Sequence, residues 1–250
     1  MSLMKKASAT MLVFALVLSF GFSSIVSATA PEVKLYDASY YVSGSHSARS
    51  FSGQIEVENL GYSKVVTVHY TPDGGTTWQT LNASYSHASD INHEIWEFST
   101  YAHDYSLETP RLGNVVSFYI EYEVNGQTYW DTNGGSNYTV STITSHFELG
   151  VPAVISWYRG LYSTGFSGDI VLKNLAYAKS VNIIYTTDNW TTTQTLSASY
   201  DSSIGNNLEL WKFNTSVSPS VTQISFYISY TVGGVTYYDN NFNSNYTVIK

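Results

Sequence analysis

The chain has 250 residues and a formal net charge of −8 at pH 7, with 12% charged and 16% aromatic residues. So acidic a chain, with only 11 Lys and Arg, is a poor match for nucleic acid or for anionic lipid. Its 22 Tyr, together with many Ser, Thr and Asn, indicate a surface that makes neutral hydrogen bonds and aromatic contacts.

The first residues have the layout of a secretory signal peptide. Lys5 and Lys6 precede an apolar run over 11–22 that is too short to span a bilayer, and small residues follow. We therefore predict a signal peptide over 1–28, cleaved after Ala28, and a secreted, extracellular protein with no membrane contact after cleavage. An uncleaved membrane anchor is the alternative. Sequons, which are typical of a secreted glycoprotein, stand at Asn82, Asn137, Asn189, Asn214 and Asn245.

The rest of the chain repeats itself. The segment 51–64 returns as 166–179, and the later segments 117–122 and 129–140 return in the same order near the C-terminus. A repeat of this length is a whole domain rather than a solenoid unit, so we predict two modules that a short linker holds close together. The predicted boundaries are 31–141 for the first module, 142–151 for the linker and 152–250 for the second module.

Each copy predicts an all-β fold, an immunoglobulin-like antiparallel β-sandwich. Helix signals are weak after residue 30, and turn residues separate β-branched and aromatic runs about every 8–12 residues. In the first copy the predicted strands are 33–42, 52–59, 64–71, 79–85, 93–99, 115–124, 127–132 and 137–141. In the second copy they are 152–159, 167–174, 179–186, 194–200, 208–214, 222–232, 235–239 and 245–249.

One hairpin of the first copy can be read residue by residue. Asn125-Gly126 is a strong signal for a two-residue turn, and such a turn fixes the pairing of the strands on either side. Since side chains alternate between faces, Tyr119 and Trp130 are predicted to be diagonal neighbours on the outward face. The same arithmetic pairs Tyr227 with Tyr238 in the second copy. Ordinary cross-strand packing, or cover from a loop, remains the alternative to a binding platform.

Further aromatic residues recur in both copies. Trp78 and Trp190 follow an Asp in a loop, where each could bind a ligand or cap a hairpin, and the two loops are expected to differ in length. Trp96 and Trp211 lie in Glu-x-Trp-x-Phe strands and are predicted to be core residues. For the following Tyr residues, packing and binding both stay open: Tyr62, Tyr85, Tyr177 and Tyr200.

The sequence offers little for catalysis. All six His precede residue 147, so the second copy has none, and no HExxH, P-loop, GxGxxG or GxSxG motif occurs. Asp131 and Asp239 recur in register before an Asn-rich turn, where stabilising the turn is the favoured role. We therefore predict that the chain is not an enzyme and has no catalytic residues, no metal and no cofactor.

The repeated motifs resemble those of the family-21 carbohydrate-binding modules, which bind starch and glycogen. The motifs are Phe-Ser-Gly-x-Ile, Asn-Leu-x-Tyr-x-Lys, Ala-Ser-Tyr, Glu-x-Trp-x-Phe, Phe-Tyr-Ile-x-Tyr and the aromatic-Asp-x-Asn turn, and they span about 33–141 and 152–249. The likeness is greatest to the modules of fungal glucoamylases, and the family also includes glycogen-targeting subunits of protein phosphatase 1.

The resemblance implies two sugar sites in each module. The first carbohydrate site would consist of Trp78, Tyr119, Trp130 and Asn137, and in the second module of Trp190, Tyr227, Tyr238, Asn240 and Asn245. The second carbohydrate site would consist of Asn59, Tyr62, Lys64, Tyr85 and Glu94, and of Asn174, Tyr177, Lys179, Tyr200 and Glu209. Thr132 stands where the family often has Asn. His93 and Leu208 stand where it often has an aromatic residue.

The resemblance implies non-catalytic, secreted binding of α-1,4-glucan, whether starch, amylose, glycogen or a maltooligosaccharide, with avidity from the tandem modules. A separate amylolytic enzyme is an expected partner. The alternative is a secreted cell-surface or cell-wall interaction protein of the same fold without starch affinity. A phosphatase-targeting subunit would need a basic-Val-x-Phe docking motif and a cytosolic address, and the sequence shows neither.

Overall fold

The computed structural model describes residues 31–42, 49–100, 112–159, 161 and 165–250. These residues form strands, turns and bends but no helix, which confirms the all-β prediction. It follows that no helix in the described part of the chain is long and apolar enough to cross a membrane. The predicted signal peptide over 1–28 lies outside the described residues.

The first module consists of two antiparallel sheets that face each other. Its strands are β1 (Val33–Val42), β2 (Arg49–Glu58), β3 (Lys64–Thr71), β4 (Gln79–Asn82), β5 (Ser84–Ala88), β6 (His93–Ser99), β7 (Val115–Val124), β8 (Gln127–Asp131), β9 (Tyr138–Ser141) and β10 (Phe147–Leu149). One sheet has the order β10-β1-β2-β6-β5. The other has the order β4-β3-β7-β8, with β9 also paired to β7.

The second module repeats this arrangement. Its strands are β11 (Ala153–Arg159), β12 (Gly165–Lys173), β13 (Lys179–Thr186), β14 (Gln194–Ser197), β15 (Ser199–Gly205), β16 (Leu208–Ser216), β17 (Gln223–Val232), β18 (Val235–Asp239) and β19 (Tyr246–Ile249). One sheet has the order β11-β12-β16-β15. The other has the order β14-β13-β17-β18, with β19 also paired to β17.

The predicted strands over 79–85 and 194–200 each divide into two. The chain leaves one sheet at Ala83 and enters the other, since β4 pairs with β3 whereas β5 pairs with β6. Ala83 is buried at the crossing, and its amide donates to the Val66 carbonyl at 2.9 Å. Ala198 does the same in the second module. Polar and apolar residues keep alternating through the crossing, so the pattern alone does not reveal it.

The hairpin between β7 and β8 has the predicted register. Tyr122 pairs with Tyr129 and Glu121 pairs with Trp130. Asn125 and Gly126 have φ values of 53° and 74°, the left-handed conformation that a type I′ turn requires. This register places alternate residues of β7 in the core and leaves the others outward.

Each module has its own hydrophobic core between its two sheets. In the first module, Phe51 from one sheet meets Phe118 from the other, and both are fully buried. Phe166 and Phe226 are their equivalents in the second module. Burial of each such side chain contributes about 1.5–3 kcal/mol, so the two cores stabilise the sheets from which the outward residues project.

The modules are in direct contact, as the short predicted linker implies. That segment contains β10, which pairs with β1 and so belongs to the first module. Leu149 of β10 joins Val171 of the second module in a small apolar cluster. The Tyr36 hydroxyl donates to Asp239 Oδ1 at 3.4 Å, and the Tyr36 ring centroid lies 4.6 Å from that of Phe242.

Candidate functional site

Three aromatic side chains, Trp78, Tyr119 and Trp130, lie side by side on the outward face of the first module. We call them the first-module platform. The ring centroids of Trp78 and Tyr119 are 5.3 Å apart, and those of Tyr119 and Trp130 are 5.9 Å apart. Trp78 is 45% exposed and Trp130 is 52% exposed, so the described residues leave about half of each ring open. The rings are outward as the hairpin predicts, and their role in binding stays a prediction.

Tyr119 is the central ring of this platform. On its other side His69 stacks against it, with ring centroids 4.7 Å apart and an angle of 7° between the planes. His69 Nε2 also lies 2.5 Å from Glu121 Oε2, which fixes the orientation of the imidazole. His69 is not among the predicted site residues, because the second module has Ile184 at the paired position and the repeat therefore does not reveal it. Side chains alternate between the two faces of β3, and this alternation places His69 on the outward face beside Tyr119. That pattern is the sequence signal that could have identified it.

A short loop between β3 and β4 positions Trp78. Asp73 Oδ1 accepts hydrogen bonds from the Thr77 amide at 2.9 Å and from the Thr71 hydroxyl at 2.9 Å. The Thr77 hydroxyl donates to Asp73 Oδ2 at 2.7 Å. These hydrogen bonds lower the pKa of Asp73 below its ordinary value, and the bond from the Thr77 amide has the largest effect. The residue before Trp78 is thereby fixed to the loop.

The equivalent loop of the second module has the same length, so the expected length difference is wrong. Asp188 accepts from Thr192 as Asp73 does from Thr77 in the first module. Trp190 instead occupies the position of Gly75, and both residues have positive φ, 65° and 98°. The left-handed conformation is unfavourable for so large a residue and recurs mainly at functional sites.

Trp190, Tyr227 and Tyr238 form the second-module platform. The ring centroids of Trp190 and Tyr227 are 5.7 Å apart with 26° between their planes, and those of Tyr227 and Tyr238 are 6.0 Å apart. Trp190 is 37% exposed and Tyr238 is 63% exposed. Although the two Trp occupy different loop positions, each ring reaches the central Tyr. Both modules therefore present three neighbouring rings.

The predicted Asn residues lie in the turn that follows each platform strand. Asn137 and Asn245 have φ values of 59° and 58°, which Asn tolerates better than most residues. Within the described residues neither side-chain amide has a hydrogen-bond partner, so both are open to a ligand. Asn240 instead bonds to Asn243 through both its amide nitrogen and its oxygen. Thr132 has the equivalent position in the first module, and its hydroxyl oxygen accepts the Gly135 amide as the Asn240 side-chain oxygen accepts the Asn243 amide.

The second predicted site of the first module centres on an ion pair. Lys64 Nζ lies 2.8 Å from Glu94 Oε1 and donates to Asn59 Oδ1 at 2.6 Å. The Lys64 side chain is only 4% exposed, so its charge is committed to these partners. Tyr62 is fully exposed, and Tyr85 is about half exposed. The structure thus brings Asn59, Lys64 and Glu94 together. It shows no ring contact for Tyr62 with any described residue.

The same arrangement recurs in the second module. Lys179 Nζ lies 2.8 Å from Glu209 Oε2 and 2.5 Å from Asn174 Oδ1. Tyr177 is fully exposed, and Tyr200 is about half exposed. The equivalent distances show that the ion pair is a repeated feature of the fold. The exposed Tyr residues recur with it in both modules.

Trp96 and Trp211, which the sequence predicts to be core residues, pack against the two cores from their edges. Each is half-buried and packs its inner side on the core. The Trp96 indole nitrogen donates to Glu94 Oε2 at 3.0 Å, and its ring meets Tyr85 edge-on at 6.2 Å. Trp211 repeats both contacts. The indole needs a polar partner, which keeps the ring at the edge of the core beside the second site.

Asp131 and Asp239 have the predicted structural role. Asp131 Oδ1 accepts the Asn133 amide, an Asx turn, while its Oδ2 accepts the Leu35 amide at 2.7 Å. Asp239 Oδ2 accepts the Ile155 amide at 2.6 Å. Burial raises the pKa of Asp239. Within the described ranges no group of three or more His, Cys, Asp or Glu could hold a metal ion.

The chain is similar in sequence to a known family and to several known proteins. The family described as carbohydrate/starch-binding module (family 21) matches residues 30–141 and 159–249. Glucoamylase 1 of Rhizopus oryzae is 42% identical over 136 residues, which cover 52% of this chain and 20% of that protein. Glycogen-binding subunit 76A of Drosophila melanogaster is 30% identical over 129 residues, which cover 49% and 18%. The chain thus spans about a fifth of the length of these curated relatives.

Two solved structures are also similar to parts of the chain. The starch-binding domain of Rhizopus oryzae glucoamylase, in complex with β-cyclodextrin and maltoheptaose, is 35% identical with a TM-score of 0.35. The match covers 40% of this chain and 94% of that one. The carbohydrate-binding module of the muscle glycogen-targeting subunit of protein phosphatase 1 is 31% identical with a TM-score of 0.33, covering 44% and 76%.

Proposed function

This chain belongs to family 21 of the carbohydrate/starch-binding modules, and we propose that its two modules bind α-1,4-glucan without cleaving it. The observation that carries the proposal is the pair of exposed platforms, Trp78–Tyr119–Trp130 and Trp190–Tyr227–Tyr238. Their rings are flat, neighbouring and partly open to solvent in both copies.

A glucose unit matches such a platform because it has an apolar C–H face and a rim of hydroxyl groups. The C–H face can stack on an aromatic ring, and side-chain amides such as those of Asn137 and Asn245 can bond the hydroxyls. Rings about 5–6 Å apart support successive sugar units of a curved chain. Exposed rings in a single copy would also be compatible with chance, whereas their recurrence supports a shared ligand.

Tandem modules suit a long polymer. Two or three stacked rings with a few hydrogen bonds give dissociation constants of about 1 mM to 1 μM for a single site. When one module is bound, the second is held near the same chain, and this raises its effective concentration. We therefore propose that tight binding requires a glucan long enough to reach both modules, and that short oligosaccharides are bound independently.

We also propose that the protein is secreted and that it holds starch or glycogen for a separate amylolytic enzyme. The support for secretion is the signal-peptide layout of residues 1–28, and the support for a binding role is the family itself. N-terminal sequencing of protein from the culture medium tests this point. The proposal requires a mature chain that begins after Ala28, and an intact N-terminus retained in the cell would contradict it.

Sedimentation with granular starch tests the binding proposal. The protein is mixed with washed granules, and its depletion from the supernatant is measured beside a cellulose control. Depletion by starch and not by cellulose, without release of reducing sugar, is the expected result. No depletion by starch would favour the interaction protein without starch affinity. Sugar release that Asp131→Asn with Asp239→Asn abolishes would overturn the non-catalytic part of the proposal.

A further inference from the structure

We propose that the cleft between the two modules is an additional glucan-binding site, centred on Trp157. This inference rests on the proposed function, because it assigns the same class of ligand to a different surface. The cleft has a volume of about 890 Å³, within the range of about 300–1,000 Å³ that is usual for ligand pockets. Neither module forms it alone, since β1, β2 and β6 supply one wall and β11 with the β18–β19 turn supplies the other.

Trp157 is an exposed ring that the fold does not require. It is 50% exposed and has no ring partner within the described part of the chain. A bulge at Ser156 precedes it, and bulges commonly re-aim a side chain beside a functional site. In the first module the equivalent bulge is followed by Asp37, so an aromatic ring at this position is not needed to form the sandwich.

The opposite wall supplies hydrogen-bonding groups to the cleft. Gln54 Nε2 and the Ser86 hydroxyl donate to Glu97 Oε1 at 3.1 and 3.0 Å. The carboxylate is therefore oriented, and its Oε2 has no partner among the described residues. Asn82 and Ser84 add an exposed amide and a hydroxyl. A cleft lined by both an aromatic residue and polar groups offers the combination that a sugar unit requires.

The charge of the cleft favours a neutral ligand. Its charged lining residues are Asp37 and Glu97, and its described lining includes no Lys or Arg. An anionic ligand would be repelled by the Glu97 carboxylate, whereas the hydroxyls of a glucan chain can donate to it. The occupant we assign is thus a free α-glucan segment.

The cleft is also preformed by a specific contact between the modules. Phe242 lines it and packs its ring against Tyr36 at 4.6 Å and His87 at 5.0 Å, both in the first module. Its φ is 51°, and Gly134 has the equivalent place in the first-module turn. A bulky side chain in this conformation is strained, so the contact that it makes is a built feature of the interface.

A carbohydrate in this cleft could have a second source. Asn82 lines the cleft and begins an Asn-Ala-Ser sequon, so a glycan attached there would offer the same chemistry. The experiment must therefore separate a free glucan from attached carbohydrate. Protein produced in bacteria lacks N-linked glycans and provides the first arm. Secreted, glycosylated protein compared with its Asn82→Gln variant provides the second.

The tryptophan indole N–H signals in a nitrogen-15 correlation spectrum separate the sites. The chain has six Trp, and single Trp→Phe variants assign their signals. Titration with maltoheptaose should shift the platform signals of Trp78, Trp130 and Trp190, and the Trp157 signal with its own saturation curve. Trp157→Ala should weaken the cleft affinity by about 3- to 10-fold, read from the side-chain amide signal of Gln54. Tyr41→Ala, which removes an exposed ring outside the cleft, is the matched control.

The outcomes are distinguishable. Shifted platform signals with an unmoved Trp157 signal would overturn this inference and leave the proposed function standing. No shift at any Trp would contradict both. If the Trp157 signal does not shift with maltoheptaose but differs between the glycosylated protein and its Asn82→Gln variant, the attached carbohydrate is the occupant and the inference is wrong. Unchanged positions of the other indole signals confirm that Trp157→Ala has folded.

Discussion

The loss of one platform ring should weaken binding by an amount that the structure sets. A Trp side chain has an area of about 250 Å², and Trp130 is 52% exposed, so about 130 Å² is open. A sugar ring that covers about half of this removes about 65 Å² from water. At about 25 cal/mol per Å² this is worth about 1.6 kcal/mol. Trp130→Ala should therefore raise the dissociation constant of the first-module platform about 15-fold.

The assay is a maltoheptaose titration followed at the Trp78 indole signal, since Trp78 lies on the same platform. The matched control is Trp130→Tyr, because Tyr238 occupies the equivalent position in the second module. It keeps a flat ring and should change the dissociation constant less than about threefold. The reasoning is refuted if Trp130→Ala stays within twofold of the original protein, or if Trp130→Tyr is as damaging as Trp130→Ala.

Three other changes follow from the geometry. Lys179→Met leaves the Glu209 carboxylate, 12% exposed, without its cation, and should lower the free energy of unfolding in urea by about 3 kcal/mol. Burial raises the pKa of Asp37 from 3.8 to about 7. The free energy of unfolding should therefore fall by up to about 4 kcal/mol as the pH rises from 4 to 7. Asp37→Asn should make this decline smaller, as measured by thermal unfolding at several pH values. Tyr177→Ala removes a fully exposed ring and should weaken maltoheptaose binding at the second site about 2- to 10-fold, at unchanged stability.

Each of these predictions has a control or a contrary result. Lys212→Met breaks an exposed ion pair, which water and salt screen, and should leave the free energy of unfolding almost unchanged; equal losses for Lys179→Met and Lys212→Met would show that burial is not the cause. The sign for Asp37 follows from its raised pKa, since the folded state holds a proton there that the unfolded state has released. Stability that rises over the same pH window would contradict it. For Tyr177→Ala, an unchanged Trp211 indole titration would exclude the second site.

The repeat and the turn chemistry explain why much of the fold could be predicted. The Asn125-Gly126 turn fixes the strand register, and that register places Tyr119 and Trp130 on the outward face. The chain crossing at Ala83 could not be predicted, because polar and apolar residues alternate without interruption on both sides of it. Packing between the sheets decides which sheet each half of this segment joins, and the local pattern does not encode that choice.

The site was predictable where the two copies agree and obscure where they differ. His69 and Trp157 have no aromatic counterpart in the other module, so a comparison of the copies passes over both. Phe242 stands at a Gly position, and its purpose is visible only when its contact with Tyr36 is seen. Features formed by contacts between the two modules therefore cannot be predicted from a resemblance to a family of single modules.

The exposed platforms are the central claim, and removing them is the most direct test. The test variant has Ala at four platform positions: Tyr119, Trp130, Tyr227 and Tyr238. Because none of these residues belongs to either core, the variant should fold, and its far-ultraviolet spectrum should match that of the original protein. In sedimentation with granular starch it should lose most of the binding. A variant that folds normally and still binds starch as tightly as the original protein would contradict the claim.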